Sequence, residues 1–103
     1  MKFVLSYTER AGGSVQERVA GGEAAQKLLA NWAPSDSATI HQWVQRCDGT
    51  GGFAVVESDN PADLFSDLAV WAPWLAFEVV PVLDIADATP IAQDALQKAR
   101  SVL

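Results

Sequence analysis

Apolar residues recur along the chain with two different periods, and the switches between them mark its elements. From Lys2 to Thr8, Phe3, Leu5 and Tyr7 alternate with Val4, Ser6 and Thr8, a period of two in β-prone residues. This predicts a first strand, which Gly12 and Gly13 break. Ser14 followed by Glu17 is a capping-box pattern, in which the hydroxyl takes a free backbone N–H and the glutamate reaches back to the cap. A helix is expected from there to Pro34, with Val15, Val19, Ala25, Leu28, Leu29 and Trp32 on one face. Gly21 and Gly22 each cost about 1 kcal/mol relative to Ala in a helix, so its first half is expected to bend, divide or begin only at Glu23.

Ala38 to Cys47, with Thr39, Ile40, Trp43 and Val44 among polar residues, reads as a second strand, and Asp48-Gly49-Thr50-Gly51-Gly52 as a hairpin loop. Phe53 to Ser58 returns as a third strand. It is apolar on both parities except at Glu57, so burial on both faces is expected. Asp59 or Asn60 caps a second helix with Pro61 at its first position and Asp63 in its first turn. Leu64, Phe65, Leu68 and Trp71 form its inner stripe, and Pro73 stops it. Leu75 to Leu83 is the fourth strand, with Phe77, Val79 and Leu83 on one face, Ala76, Val80 and Val82 on the other, and Glu78 as its one charge. Thr89 and Pro90 open a final helix whose Ile91, Ala95, Leu96, Ala99 and Val102 share a face.

The order is β-α-β-β-α-β plus a terminal helix, the α+β pattern of a ferredoxin-like fold, with an antiparallel sheet and helices on one face. Residues 1–103 are expected to form a single domain, since no internal repeat or linker interrupts them. The helices cover one sheet face, yet the third and fourth strands are apolar on both. A partner sheet is therefore expected, and a second copy about a two-fold axis is the simplest supplier, giving a homodimer.

Charge narrows the partners. Seven Lys and Arg against thirteen Asp and Glu leave a net charge of −6, which disfavours nucleic acid and anionic membrane surfaces. The longest apolar run, Leu68 to Phe77, spans ten residues broken by Pro73, against ~20 for a membrane span. Phe3, Val4 and Leu5 are too short an apolar stretch for a signal peptide's core. With one cysteine and no internal disulfide available, a cytoplasmic location is expected.

The run Gly51-Gly52-Phe53-Ala54-Val55-Val56-Glu57-Ser58-Asp59, then Trp71-Ala72-Pro73-Trp74, then Phe77-Glu78-Val79-Val80-Pro81-Val82-Leu83, together with the Phe3–Thr8 strand, resembles the family DUF3303 over roughly residues 1 to 84. The resemblance implies a dimeric α/β-barrel, two such sheets facing each other, and implies no particular activity. The family pattern has a His after an aromatic residue near the end of the second strand. Here Val44 follows Trp43, and the one His stands earlier, at His41. The wider superfamily includes cofactor-light monooxygenases, haem-degrading enzymes, isomerases and ligand-sensing domains, among which fold kinship does not choose.

Candidate chemistry is sparse. His41 is the one residue of the type that changes charge near neutral pH. If His41 and Cys47 lie on one regular strand, six residues at ~3.3 Å each hold them ~20 Å apart, so they form no nucleophile–base pair within a subunit. Glu57 and Glu78 each interrupt an apolar strand, with the first strand between them, so a polar patch with Tyr7 is a candidate for binding a ligand or moving a proton. A satisfied structural carboxylate is the plainer alternative for each. Trp32, Trp43, Trp71 and Trp74 are candidates for packing or for an aromatic pocket, with Trp71 and Trp74 beside Pro73 the preferred pocket residues.

Gly49 to Gly52 lacks the Lys and the following helix of a phosphate loop and is a turn. Asp59, Asp84, Asp87 and Asp94 stand near helix starts as capping residues. No metal spacing accompanies them, and the Asn, Trp and His set of haem-degrading relatives is not matched, so no cofactor is expected. No catalytic residue is assigned. The function expected first is a homodimer holding a small apolar or aromatic molecule between sheet and helices, with Tyr7, His41, Trp43, Glu57, Trp71, Trp74 and Glu78 as candidate contacts. The alternatives are a cofactor-independent monooxygenase or isomerase using a barrel carboxylate or His as proton acceptor, and a purely structural dimer.

Overall fold

The computed structural model describes residues 1–10 and 12–103. Its elements run β1 (Lys2–Glu9), α1 (Val15–Asn31), β2 (Thr39–Gln45), β3 (Gly51–Glu57), α2 (Pro61–Trp71), β4 (Leu75–Val82) and α3 (Ile85–Ser101). The four strands form one antiparallel sheet in the order β2-β3-β1-β4. This is the ferredoxin-like arrangement, followed by a C-terminal helix.

Register assigns the two sheet faces. Leu5 lies opposite Ala54 and Val79, and Tyr7 opposite Gly52 and Phe77. This parity faces the helices, and Leu5, Ala54, Val56 and Leu64 form the core, with Phe3, Ala38, Ile40 and Leu68 packed against it. The other parity carries Val4, Val55 and Val80 in one row and Ser6, Phe53 and Glu78 in the next. Phe53 is 46% exposed and Val80 43%, so β3 is buried within the chain on its helix face only. Pro81, which cannot donate to a ladder, sits in the edge strand β4, where that costs least.

Local signals account for the helix starts. Ser14 accepts from the backbone N–H of Glu17 at α1, and Asn60 accepts from Ala62 and Asp63 at α2, with Pro61 in the first turn. Two helix faces differ from the pattern expected of them. α1 runs unbroken through Gly21 and Gly22. Its half-buried positions are Gly21, Ala25, Leu28 and Trp32, whereas Val15, Val19 and Leu29 are exposed. Gly21 faces the Trp74 ring, from which a Cβ there would lie at an ordinary contact distance of 3.6 Å. On α2, Leu64 and Trp71 are buried and Leu68 half-buried, while Phe65 is exposed.

α3 begins at Ile85, ahead of the expected Thr89–Pro90 start, and contains Pro90. The Asp84 side chain makes no cap hydrogen bond there and instead receives one from Lys2 Nζ at 2.7 Å, so a long-range ion pair marks where β4 gives way to the helix. An interior proline removes one hydrogen bond and costs about 3 kcal/mol. α3 nevertheless has no buried residue, and no packing within the chain offsets that cost.

Candidate functional site

Tyr7 organises the space between sheet and helices. It points from β1 to the helix side across Gly52, where a Cβ would overlap both the Tyr7 hydroxyl and the Val44 carbonyl oxygen. The ring therefore passes over bare backbone to reach β2. Its hydroxyl lies 3.2 Å from the Val44 carbonyl oxygen and 3.1 Å from Gln45 Oε1, and it accepts from Trp43 Nε1 at 2.9 Å. One hydroxyl proton serves one of those two acceptors at a time.

Trp43 belongs to a cluster of three indoles drawn from different elements. Trp32 follows α1, Trp43 is on β2 and Trp71 ends α2. Ring centroids are 6.2 Å apart for Trp32–Trp43, 5.6 Å for Trp32–Trp71 and 6.1 Å for Trp43–Trp71, each pair near perpendicular. Edge-to-face pairs of this kind add about 0.5–1.5 kcal/mol each beyond the area they bury. Two carboxylates of α2 hold the linker behind them. Asp67 accepts from Ser35 N and from Ser35 Oγ at 2.7 Å, and Asp63 accepts from Ser37 Oγ at 2.7 Å.

These residues enclose a cavity of about 60 Å³, lined by Leu5, Tyr7, Trp32, Trp43, Trp71, Phe77 and neighbouring aliphatic side chains, with Asp67 at its wall. Among the described residues, its lining residue Trp71 holds the one buried side-chain polar atom without a partner. The ring is 7% exposed and its Nε1 has no acceptor. A buried donor left unpaired costs about 1–3 kcal/mol, more than a hydrogen bond normally contributes.

The expected site residues divide between the two sheet faces. Tyr7, Trp43 and Trp71 line the cavity. Trp74 does not; its ring packs on α1 at Gly21. Glu57 lies opposite Lys2 and Thr39, and Glu78 opposite Ser6, both on the outer face. Four residues of β1 separate their rows, about 13 Å, so Glu57, Glu78 and Tyr7 do not form one patch. His41 is the extra residue of a β-bulge between Ile40 and Gln42, and its Nε2 lies 2.7 Å from Glu57 Oε1. The bulge re-aims the side chain, and both groups remain substantially exposed, at 42% and 52%. Cys47 lies beyond the end of β2, outside the strand expected to reach it, and is exposed.

Gln45, Gly52 and the linker residue Ser35 were not among the expected site residues. Gly52 carried a signal, since it falls on the same parity as Ala54 and Val56, where a small residue makes room for a large neighbour. Among the described residues, no group of three His, Cys, Asp or Glu side chains is placed to hold a metal ion. Among the same residues, no helix is long and apolar enough to cross a membrane.

A single antiparallel sheet with α1 and α2 on one side and a small apolar cavity beneath them defines a small α+β protein. The profile of DUF3303, a domain of unknown function, matches residues 1–96, and the chain belongs to that family. No curated protein matches it in sequence.

Proposed function

We propose that the protein is a cytoplasmic homodimer that holds a small, largely apolar molecule between sheet and helices, by way of an acceptor atom on that molecule bonded to Trp71 Nε1. The observation that carries this reading is a largely apolar cavity whose lining includes Trp71, an indole with its N–H buried and unpaired. An acceptor from a bound molecule relieves its desolvation cost, while Tyr7 is already engaged by three partners. A cavity of about 60 Å³ is smaller than the ~150 Å³ that admits benzene. A ring-sized ligand therefore requires the wall to yield. The acidic net charge of −6 and the lone cysteine favour an intracellular protein without a nucleic-acid partner.

Binding is favoured over turnover because the candidate proton acceptors His41, Glu57 and Glu78 stand on the far face of the sheet from the cavity. The carboxylate in the cavity wall, Asp67, is occupied by Ser35. Native mass spectrometry of protein purified gently from cells tests the reading. A reproducible added mass, lost in Trp71→Phe and retained in Phe65→Ala on the exposed side of α2, is the expected result. A bare protein under the same conditions, or an added mass indifferent to Trp71→Phe, overturns it.

A further inference from the structure

Two apolar surfaces of the chain are uncovered, the outer sheet face and one side of α3. Strands of eight residues span about 27 Å, yet the long axis of the molecule is 62 Å and its radius of gyration 18.1 Å, against about 13 Å for a compact chain of this length. An element must stand clear of the sheet, and α3 is the one that does, with Ala88 alone half-buried.

The sides of that helix are sharply segregated. At 3.6 residues per turn, Ala88, Ile91, Ala95, Leu96, Ala99 and Val102 fall within an arc of about 140°. The opposite side carries Gln93, Asp94, Gln97, Arg100 and Ser101, with Lys98 at the edge of the apolar arc. Ile91 is 62%, Leu96 66% and Val102 84% exposed. A helix of this length, interrupted by Pro90 and packed on nothing, is marginal in water, because helices in proteins draw most of their stability from an apolar face that packs. Its conformation therefore calls for a surface to cover it.

Area and charge indicate which surface. The outer sheet face, four strands at ~4.8 Å spacing, spans roughly 500 Å². That is below the ~800 Å² that each partner contributes to a stable interface. The apolar side of α3, about 25 Å long and roughly 10 Å wide, adds about half as much again. The last turn of α3 carries Lys98 and Arg100. Its root is an open groove of about 670 Å³ lined by Met1, Lys2, Glu57, Val82, Asp84, Asp87 and Ala88, where Lys2 holds Asp84 and His41 holds Glu57. Among the described residues, neither Asp87 nor Arg100 is ion-paired within the chain.

We propose that α3 is an arm exchanged between two copies of this chain: its apolar side packs on the second copy, and the basic last turn of each arm meets the acidic root of the other. The proposal rests on the homodimer reading above and adds that the arm, with the sheet face, holds the dimer together. Sedimentation of the full chain with Ile91→Glu, Leu96→Glu and the double variant Lys98→Glu/Arg100→Glu tests it. These side chains are exposed in the single chain, so its fold survives the changes. Each variant is expected to raise the dimer dissociation constant tenfold or more. Hydrogen exchange of wild-type α3 amides, followed across a dilution series, is expected to show protection that disappears as the dimer dissociates. A dimeric wild type with unchanged constants in all three variants overturns the arm and leaves the sheet-to-sheet dimer standing. Protection of α3 that ignores concentration also overturns the arm, in favour of folding onto its own chain. A wild type that is monomeric at every concentration overturns both readings.

Discussion

Single residues settle the character of the cavity and of the turn nearest to it. Trp71 contributes a ring that the packing needs and an N–H that the chain leaves unpaired. Trp71→Phe keeps most of the ring and removes the donor, so without ligand it is expected to unfold within about 1 kcal/mol of wild type; a loss above ~3 kcal/mol in urea denaturation would mean that the indole is held by something other than packing. Gly52→Ala is the opposite case. Its Cβ collides with the Tyr7 hydroxyl and the Val44 carbonyl, so one of the two must move. Overpacking of this kind costs about 1–3 kcal/mol, and the thermal midpoint is expected to fall by roughly 4–8 °C per kcal/mol. In the β2–β3 turn, Asp48 receives hydrogen bonds from Arg46 Nε and a guanidinium NH2, and from Thr50 N and Oγ1. Arg46 first, then Thr50, lower its pKa from 3.8 to about 2. A carboxyl whose folded value lies below its unfolded one stabilises the fold fully above about pH 4, and that contribution is lost as pH falls towards 2. The gap in thermal midpoint between wild type and Asp48→Ala, followed from pH 5 to pH 2, is expected to narrow over that window. A gap of constant width would show that the carboxylate charge does not hold the turn.

At the level of elements, the patterns legible along the chain are those set by neighbours in sequence. Period-two alternation placed β1, short runs of β-prone residues bounded by turn signals placed the other three strands, and Ser14 and the Asp59–Asn60–Pro61 stretch placed two helix starts, because a cap acts on amides two or three residues away. Contacts between distant segments were not legible. Trp74 meets α1 at Gly21, and Lys2 reaches Asp84 at the start of α3, at separations of 53 and 82 residues that no local period encodes. The candidate site divides in the same way. The aromatic residues of the cavity were identifiable by type, but which of them meet depends on register. The parity of Phe3, Leu5 and Tyr7, shared across the sheet by Ala54 and Val56, already separated Tyr7 from Glu57. Trp74 looked equivalent to Trp71 until the turn at Pro73 sent it to α1. The two α1 glycines now separate cleanly. Gly21 sits against Trp74, whereas a Cβ on Gly22 would have nothing within 4 Å. Gly22→Ala is therefore expected to stabilise the protein by about 1 kcal/mol through helix propensity, read as a higher thermal midpoint; no gain would mean that α1 is not helical at that turn in solution.

The molecule as a whole has α1 and α2 on one side of the sheet and leaves the other side to water or to a partner. Val4, Val55 and Val80 form one continuous apolar row across β3, β1 and β4, with Phe53 beside it. Such a surface on an 11.0 kDa chain is large for a monomer, and a two-fold axis through it lets identical faces cover each other. Glu78 lies on the same face opposite Ser6, so sheets meeting there must set it at the rim of the contact or give it a partner, since an unpaired buried carboxylate is costly. Phe53 provides the discriminating substitution. It is 46% exposed and takes no part in the core beneath the helices, so Phe53→Glu leaves the single chain folded while placing a charge where two sheets would meet. Sedimentation is expected to show the wild type at about twice 11.0 kDa and Phe53→Glu at 11.0 kDa, with the same far-ultraviolet dichroism over the sheet bands. A variant that remains dimeric would place the contact elsewhere than the sheet, with α3 as the remaining uncovered apolar surface to carry it.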